Sequence, residues 1–111
     1  MWKTICVNKD FRTLYYHGKS AVDPALVTYA RKNRLGEPRV GITTGKKLGG
    51  AVQRNRCRRI IREAFRPYRD QIGGWDIVFV ARGQALRLKS TQLRPVVESH
   101  LRRLGVISHE K

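Results

Sequence analysis

Residues 46–66 read KKLGGAVQRNRCRRIIREAFR. Eight of these 21 residues are Lys or Arg, and one, Glu63, is acidic. A charge run of this density is ordinarily a solvated tail, yet Val52, Ile60, Ile61, Ala64 and Phe65 are threaded through it. At about 100° per residue, Cys57, Ile60, Ile61 and Ala64 fall on one side of a helix. Arg54, Asn55, Arg58, Arg62 and Arg66 fall roughly opposite, with Arg59 at the edge. The pattern predicts a helix from Ala51 to about Tyr68, stopped loosely near Pro67 and finally by Gly73-Gly74. One stripe anchors this helix on a sheet, and the other presents a ladder of guanidinium groups. Arginine suits the ladder because its planar fork pairs bidentately with phosphate oxygens. Asn55 can offer a donor and an acceptor to a base edge, a 2′-hydroxyl or a backbone turn. With Glu63 the only acid in the segment, local i,i+4 ion pairs do not satisfy the arginines.

Before the helix, Gly45 to Gly50 form a glycine-rich connector. Lys46 and Lys47 place two ammonium groups near a helix N-terminus, a favourable position for phosphate. This is not a nucleotide-binding P-loop: GITTGKK has the wrong glycine spacing and no Ser or Thr after the lysine. Further upstream, Val40 to Thr43 reads as a strand and KNRLGEP as the hairpin loop that leads into it. Ala25 to Ala30 alternates as a strand, with Leu26, Thr28 and Ala30 on one face and Val27 and Tyr29 on the other. Asp23-Pro24 marks a turn. Asn8 can cap a helix whose face is Phe11, Leu14 and Tyr15, closed by Gly18. Downstream, Trp75 to Ala81 is nearly all apolar, as expected of a central strand buried on both faces. Leu93, Val96, Val97, Leu101 and Leu104 form the stripe of a last helix ended by Gly105. Its start is Ser90 if that residue caps it, or later if Pro95 occupies the first turn. There is no internal repeat or linker. The fold class is α+β, one domain over residues 1–111, in the order α-β-β-β-α-β-α.

The formal charge is +16 in 111 residues. Residues 1–45, 46–66 and 67–111 are each basic, so this is not a neutral domain with a charged tail. Self-repulsion on this scale calls for a polyanionic partner. Nucleic acid is favoured over an anionic membrane, because no helix carries a broad apolar face, and small anions such as sulfate or phosphate should stabilise the free fold. The longest purely apolar run, Ile77 to Ala81, is far too short to span a bilayer. The N-terminal stretch lacks the apolar core of a signal peptide. Two cysteines, Cys6 and Cys57, make no secreted disulfide framework. These features lead us to expect a cytoplasmic protein.

The eight acidic residues are scattered singly, with no pair placed for a two-metal nuclease site. His17, His100 and His109 have no metal-binding spacing, and a histidine-based ribonuclease would need two of them brought together. No catalytic residue is assigned. Phe11, Tyr15 and Tyr29 admit two readings: ordinary core packing, or a platform on which unpaired bases stack at about 1–3 kcal/mol each.

The segment of residues 46–66 resembles the signature of the bacterial ribonuclease P protein subunit: an Arg-Asn-Arg triplet, then basic-basic, then Arg-Glu-x-Phe. Arg54, Asn55, Arg56, Arg58, Arg59, Arg62, Glu63 and Phe65 stand at the matching positions. DFRTLYYHGKS, ALVTYA and RVGITTGKKLG resemble the family's first helix and early strands in order, so the likeness runs from about residue 8 to residue 104. Gly45 stands where the family often has Ser. The resemblance implies a small α/β sandwich with a left-handed crossover around the basic helix. It also implies a ribonucleoprotein endonuclease that removes the 5′ leader of precursor tRNA, its catalysis carried by the RNA subunit with bound Mg²⁺ and none by the protein alone. On that basis Lys46, Lys47, Arg54, Asn55, Arg56, Arg58, Arg59 and Arg62 bind the catalytic RNA. Phe11, Tyr15 and Tyr29 line the cleft for the single-stranded leader. The competing readings are a non-catalytic ribosomal or RNA-chaperone protein, and a protein-only nuclease.

Overall fold

The computed structural model describes residues 3–4 and 18–107. The helix expected from Asn8 lies outside them. Strands β1 (Lys3–Thr4), β2 (Lys19–Val22), β3 (Leu26–Lys32), β4 (Arg39–Thr43) and β5 (Trp75–Ala81) form one sheet in the order β1-β4-β5-β3-β2. Helix α1 (Ala51–Phe65) crosses from β4 to β5, and helix α2 (Ser90–Arg103) follows β5. The α+β order expected from the sequence is therefore present in the described residues, with β1 added at one edge.

One pairing differs from expectation. KNRLGEP is not a hairpin loop, because β5 lies between β3 and β4, antiparallel to the first and parallel to the second. The hairpin lies earlier, between β2 and β3, where Val22 faces Val27. Asp23 closes it: its backbone exchanges hydrogen bonds with Leu26 at 2.9 and 3.2 Å, and its carboxylate accepts from the Ala25 N–H at 2.9 Å. The reason lies in β5 itself. Ile77, Phe79 and Ala81 point to one side and Val78 to the other, and all four are buried. A strand apolar on both faces is stabilised most at the centre of the sheet.

The displaced loop is organised by Asn33. Its N–H donates to the Gly74 carbonyl at 2.8 Å, and its side-chain amide donates to Glu37 O and Asp76 Oδ1. Its side-chain oxygen accepts from the Leu35 N–H at 2.9 Å. Arg39 binds both oxygens of Asp76, at 2.9 and 2.6 Å, across the parallel β4–β5 pair. Burial alone would raise the Asp76 pKa, but the hydrogen bonds from Arg39 and Asn33 overcome it and hold the carboxyl below its usual range.

Both helices pack on the Ile77 and Phe79 face of the sheet, and the predicted stripe of α1 is the buried one: Cys57, Ile60, Ile61, Ala64 and Phe65. Phe65 meets Phe79 edge to face, ring centroids 5.4 Å apart. Val52 departs from its apolar character and is 79% exposed. Gly49, at a φ of 117°, turns the chain into the helix, and the Gln53 side chain accepts from the Gly50 N–H at 3.0 Å. The α-helix ends at Phe65 rather than near Tyr68. Pro67 would clash with the carbonyl four residues earlier in a continuing α-helix, so Arg66–Gln71 forms a 3₁₀ turn. In α2, Ser90 is the first helical residue rather than the cap, and Pro95 lies inside the helix on its exposed side. Gly105, at a φ of 80°, lets Val106 donate back to Leu101 O at 2.8 Å, which closes the helix end in a Schellman arrangement.

His100 of α2 is buried, and its Nδ1 lies 2.7 Å from Thr28 Oγ1 of β3. Burial lowers its pKa, Arg103 lowers it further, and Asp23 opposes both. A depressed folded-state value means the pair stabilises fully above the unfolded pKa of 6.5 and is lost as pH falls below it toward the folded value. Thermal melts between about pH 7 and pH 5 should therefore show a decline that His100→Gln, which does not ionise, largely removes. Equal slopes in the two proteins would assign the decline to other groups.

Candidate nucleic-acid interface

The outward side of α1 carries the guanidinium ladder. Asn55, Arg59, Arg62 and Arg66 are exposed, and Arg54 and Arg58 are half-buried. Arg58 donates to Asn55 Oδ1 at 2.8 Å, so the asparagine holds a neighbouring guanidinium in place. Among the described residues none of Arg54, Arg58, Arg59 and Arg62 enters an ion pair. Arg54 Nε is buried and has no hydrogen-bond partner among the described residues. A donor withdrawn from water without an acceptor costs about 1–3 kcal/mol.

Arg56 stands apart from the ladder. Cys57 beside it and Ile60 one turn on are buried, so Arg56 stands at the border of the docking stripe. Its guanidinium donates to Leu86 O at 2.9 Å and to Leu88 O at 3.1 Å, in the connection between β5 and α2.

Lys46 opens the 3₁₀ turn Lys46–Leu48, and its side chain lies outside the described residues. Lys47 is exposed on the rim of a groove of about 620 Å³ between that turn and the end of β5. Arg82, Gly83, Leu48, Val80 and Ala81 line it as well. Arg82 did not emerge from the sequence, where it is one isolated cation after a strand.

Tyr29 lies on the other face of the sheet, away from α1. It is half-buried, paired with Val78 of β5 and Ser20 of β2, and packs against Val78, as Val80 does. Val80, which packs against Val78 as Tyr29 does, also lines the Lys47–Arg82 groove. Phe11 and Tyr15 lie outside the described residues. The suggested meeting of histidines also involves residues outside them, His17 and His109, while His100 is held by Thr28. Among the described residues no group of three or more His, Cys, Asp or Glu could hold a metal ion, and no helix is long and apolar enough to cross a membrane.

Comparison with known proteins gives one family. The Ribonuclease P family model matches residues 3–105. The chain is 37% identical to the ribonuclease P protein component of Staphylococcus epidermidis over 105 residues, 94% of this chain and 90% of the relative. It is 49% identical to that of Clostridioides difficile over 77 residues, 68% of each. The fold is similar to the RNase P protein of Staphylococcus aureus, with a TM-score of 0.86, 33% identity, and coverage of 97% of this chain and 100% of that one. The RNase P protein of Thermotoga maritima gives a TM-score of 0.79 at 29% identity, covering 96% and 98%.

Proposed function

The chain belongs to the bacterial ribonuclease P protein family, and from that premise we propose that its two surfaces divide the handling of RNA. Membership makes it a protein subunit of the endoribonuclease that processes tRNA. The ladder of Arg54, Asn55, Arg58, Arg59 and Arg62, with Lys46 and Lys47 before it, binds the phosphate backbone of the catalytic RNA. The observation that carries this reading is the ladder itself: exposed and half-buried guanidinium groups on a docked helix, none of Arg54, Arg58, Arg59 and Arg62 in an ion pair among the described residues. The RNA subunit and the precursor tRNA supply the oxygens for Mg²⁺, and the protein supplies cations and shape.

The Tyr29 face, with Phe11 and Tyr15, receives the single-stranded leader. Val80 supports this role: it packs against Val78, as Tyr29 does, and it also lines the groove that holds Lys47 and Arg82.

Precursor tRNA and Mg²⁺ incubated with the protein, with and without the RNA subunit, test the assignment. Cleavage only when the RNA is present is expected. Cleavage by the protein alone would make it a nuclease in its own right, and no cleavage in either arm would leave a plain RNA-binding protein.

Tyr29→Ala should weaken binding of a long-leader precursor by roughly 5- to 150-fold, the value of one lost stack of about 1–3 kcal/mol. The defect should vanish on a precursor trimmed to a single leader nucleotide. A defect equal on both substrates, with a lowered melting temperature, would return Tyr29 to the core. Sulfate or phosphate should raise the melting temperature more than chloride at matched ionic strength, since an anion bound only by the folded state stabilises it by mass action. Identical melts in sulfate and chloride would remove that expectation.

A further inference from the structure

Arg56 stands within the Arg-Asn-Arg triplet, where the pattern of charge reads as RNA contact. Its geometry has a different consequence. The two bonds from one guanidinium reach carbonyls two residues apart, Leu86 and Leu88. Leu86 belongs to the 3₁₀ turn Gly83–Arg87 and Leu88 is the extended residue that ends it, and both carbonyls lie within reach of one guanidinium. A planar fork spans such a pair, whereas an ammonium group is a point charge with no fixed spacing. The segment held in this way has little regular structure of its own: a short 3₁₀ turn, Gly83–Arg87, and two residues leading into α2. Its apolar side is seated by Ala85, which is buried, and by Leu86 and Leu88, which pack on the core. Its polar side carries Arg87 and Lys89, both exposed, one between and one just after the two bonded carbonyls. Arg87 ends the 3₁₀ turn, and Lys89 caps α2, its N–H donating to Gln92 Oε1 at 2.9 Å. Among the described residues, the hydrogen bonds that tie this segment to α1 are the two from Arg56.

We infer that Arg56 is a positioning residue: by bridging α1 to the backbone at Leu86 and Leu88, it sets Arg87 and Lys89 beside the arginine ladder as two further phosphate contacts for the catalytic RNA. The inference rests on the assignment of α1 to that RNA. It extends the contact surface from one helix to the connection that follows β5, and it separates the roles of two arginines two residues apart, Arg54 and Arg56.

The test is the salt dependence of binding of the full chain to the ribonuclease P RNA. Arg56→Lys keeps the charge and removes the fork. A displaced segment would withdraw Arg87 and Lys89, so the slope of log affinity against log salt should fall by between about one and two units, at 0.7 to 0.9 per lost phosphate contact. The double variant Arg87→Ala/Lys89→Ala should show the same fall, and adding Arg56→Lys to it should change the slope no further. If Arg56 were itself a phosphate ligand, Arg56→Lys would leave the slope unchanged, and Arg56→Ala would still cost about one unit in the double-variant background. That result overturns the inference. So does a lowered melting temperature with affinity and slope unaltered well below it, which would make the bridge purely structural. Failure of the underlying reading looks different: Arg54→Ala, Arg58→Ala and Arg62→Ala would then leave RNA affinity unchanged, and the inference would fall with it.

Discussion

Replacing Arg54, Arg58 and Arg62 together by alanine is expected to weaken assembly with the ribonuclease P RNA by between about 10²- and 10³-fold. Each guanidinium stands for one phosphate contact, at about 1–1.5 kcal/mol, and each 1.4 kcal/mol is a factor of ten. The slope of log affinity against log salt should fall by roughly two to nearly three units in parallel. The fold should survive, because none of the three lies in the buried stripe of α1. Removing three like charges from a chain of +16 relieves repulsion, so the melting temperature should hold or rise. Binding titrations at several salt concentrations, with a melt of the same sample, check both halves. Unchanged affinity would remove this side of α1 from the interface. A collapse of the melting temperature would show that the arginines stabilise the fold.

The second large effect is on stability. Phe65 is fully buried at the end of α1 and meets Phe79 of the central strand edge to face. Phe65→Ala should cost about 3–5 kcal/mol, from lost transfer energy and the cavity left behind. Domains hold about 5–15 kcal/mol in all, so the melting temperature should drop by more than about 10 °C. Because Phe65 seats the helix that bears the ladder, RNA affinity should fall as the unfolded fraction rises. Phe65→Leu, which refills most of the volume, should recover the greater part of both losses. A melting temperature within about 2 °C of wild type would mean that α1 is anchored elsewhere.

These two predictions separate what was legible in the sequence from what was not. The stripe of Cys57, Ile60, Ile61 and Ala64 has helical period, and burial follows period closely, so the docking side of α1 could be read in advance. The same holds for the faces of β3 and for the central place of β5, whose unbroken apolar run fits only an interior strand. The partner of β3 was not legible. A polar loop between two strand patterns suggests a hairpin whether or not a later strand enters between them, and only the long-range competition for β5 decides. Side-chain reach was equally hidden. Arg56 carries the same charge as Arg54, and the two-residue step between them, about 200° of helix, sends its fork to Leu86 and Leu88 instead of outward. Arg82, Arg87 and Lys89 carry no local pattern, since a lone cation in a connection has no period to betray it. Val52 shows the converse, an apolar residue on the ladder side that the helix geometry leaves in water.

The place of β5 also bears on how the chain comes into being. Strands β3 and β4 do not pair with each other; each has one neighbour made before it, β2 or β1, and on its other side waits for β5, made later. Until Trp75–Ala81 has left the ribosome, both present an open edge, the condition that invites wrong pairing. By then the whole of Ala51–Phe65 has already emerged. The arginine helix thus precedes the floor on which it docks, and the pairings that close the sheet span long stretches of chain, which slows folding. A polyanion that neutralises the helix early would hold the nascent chain apart from its own charge while the sheet waits for its centre.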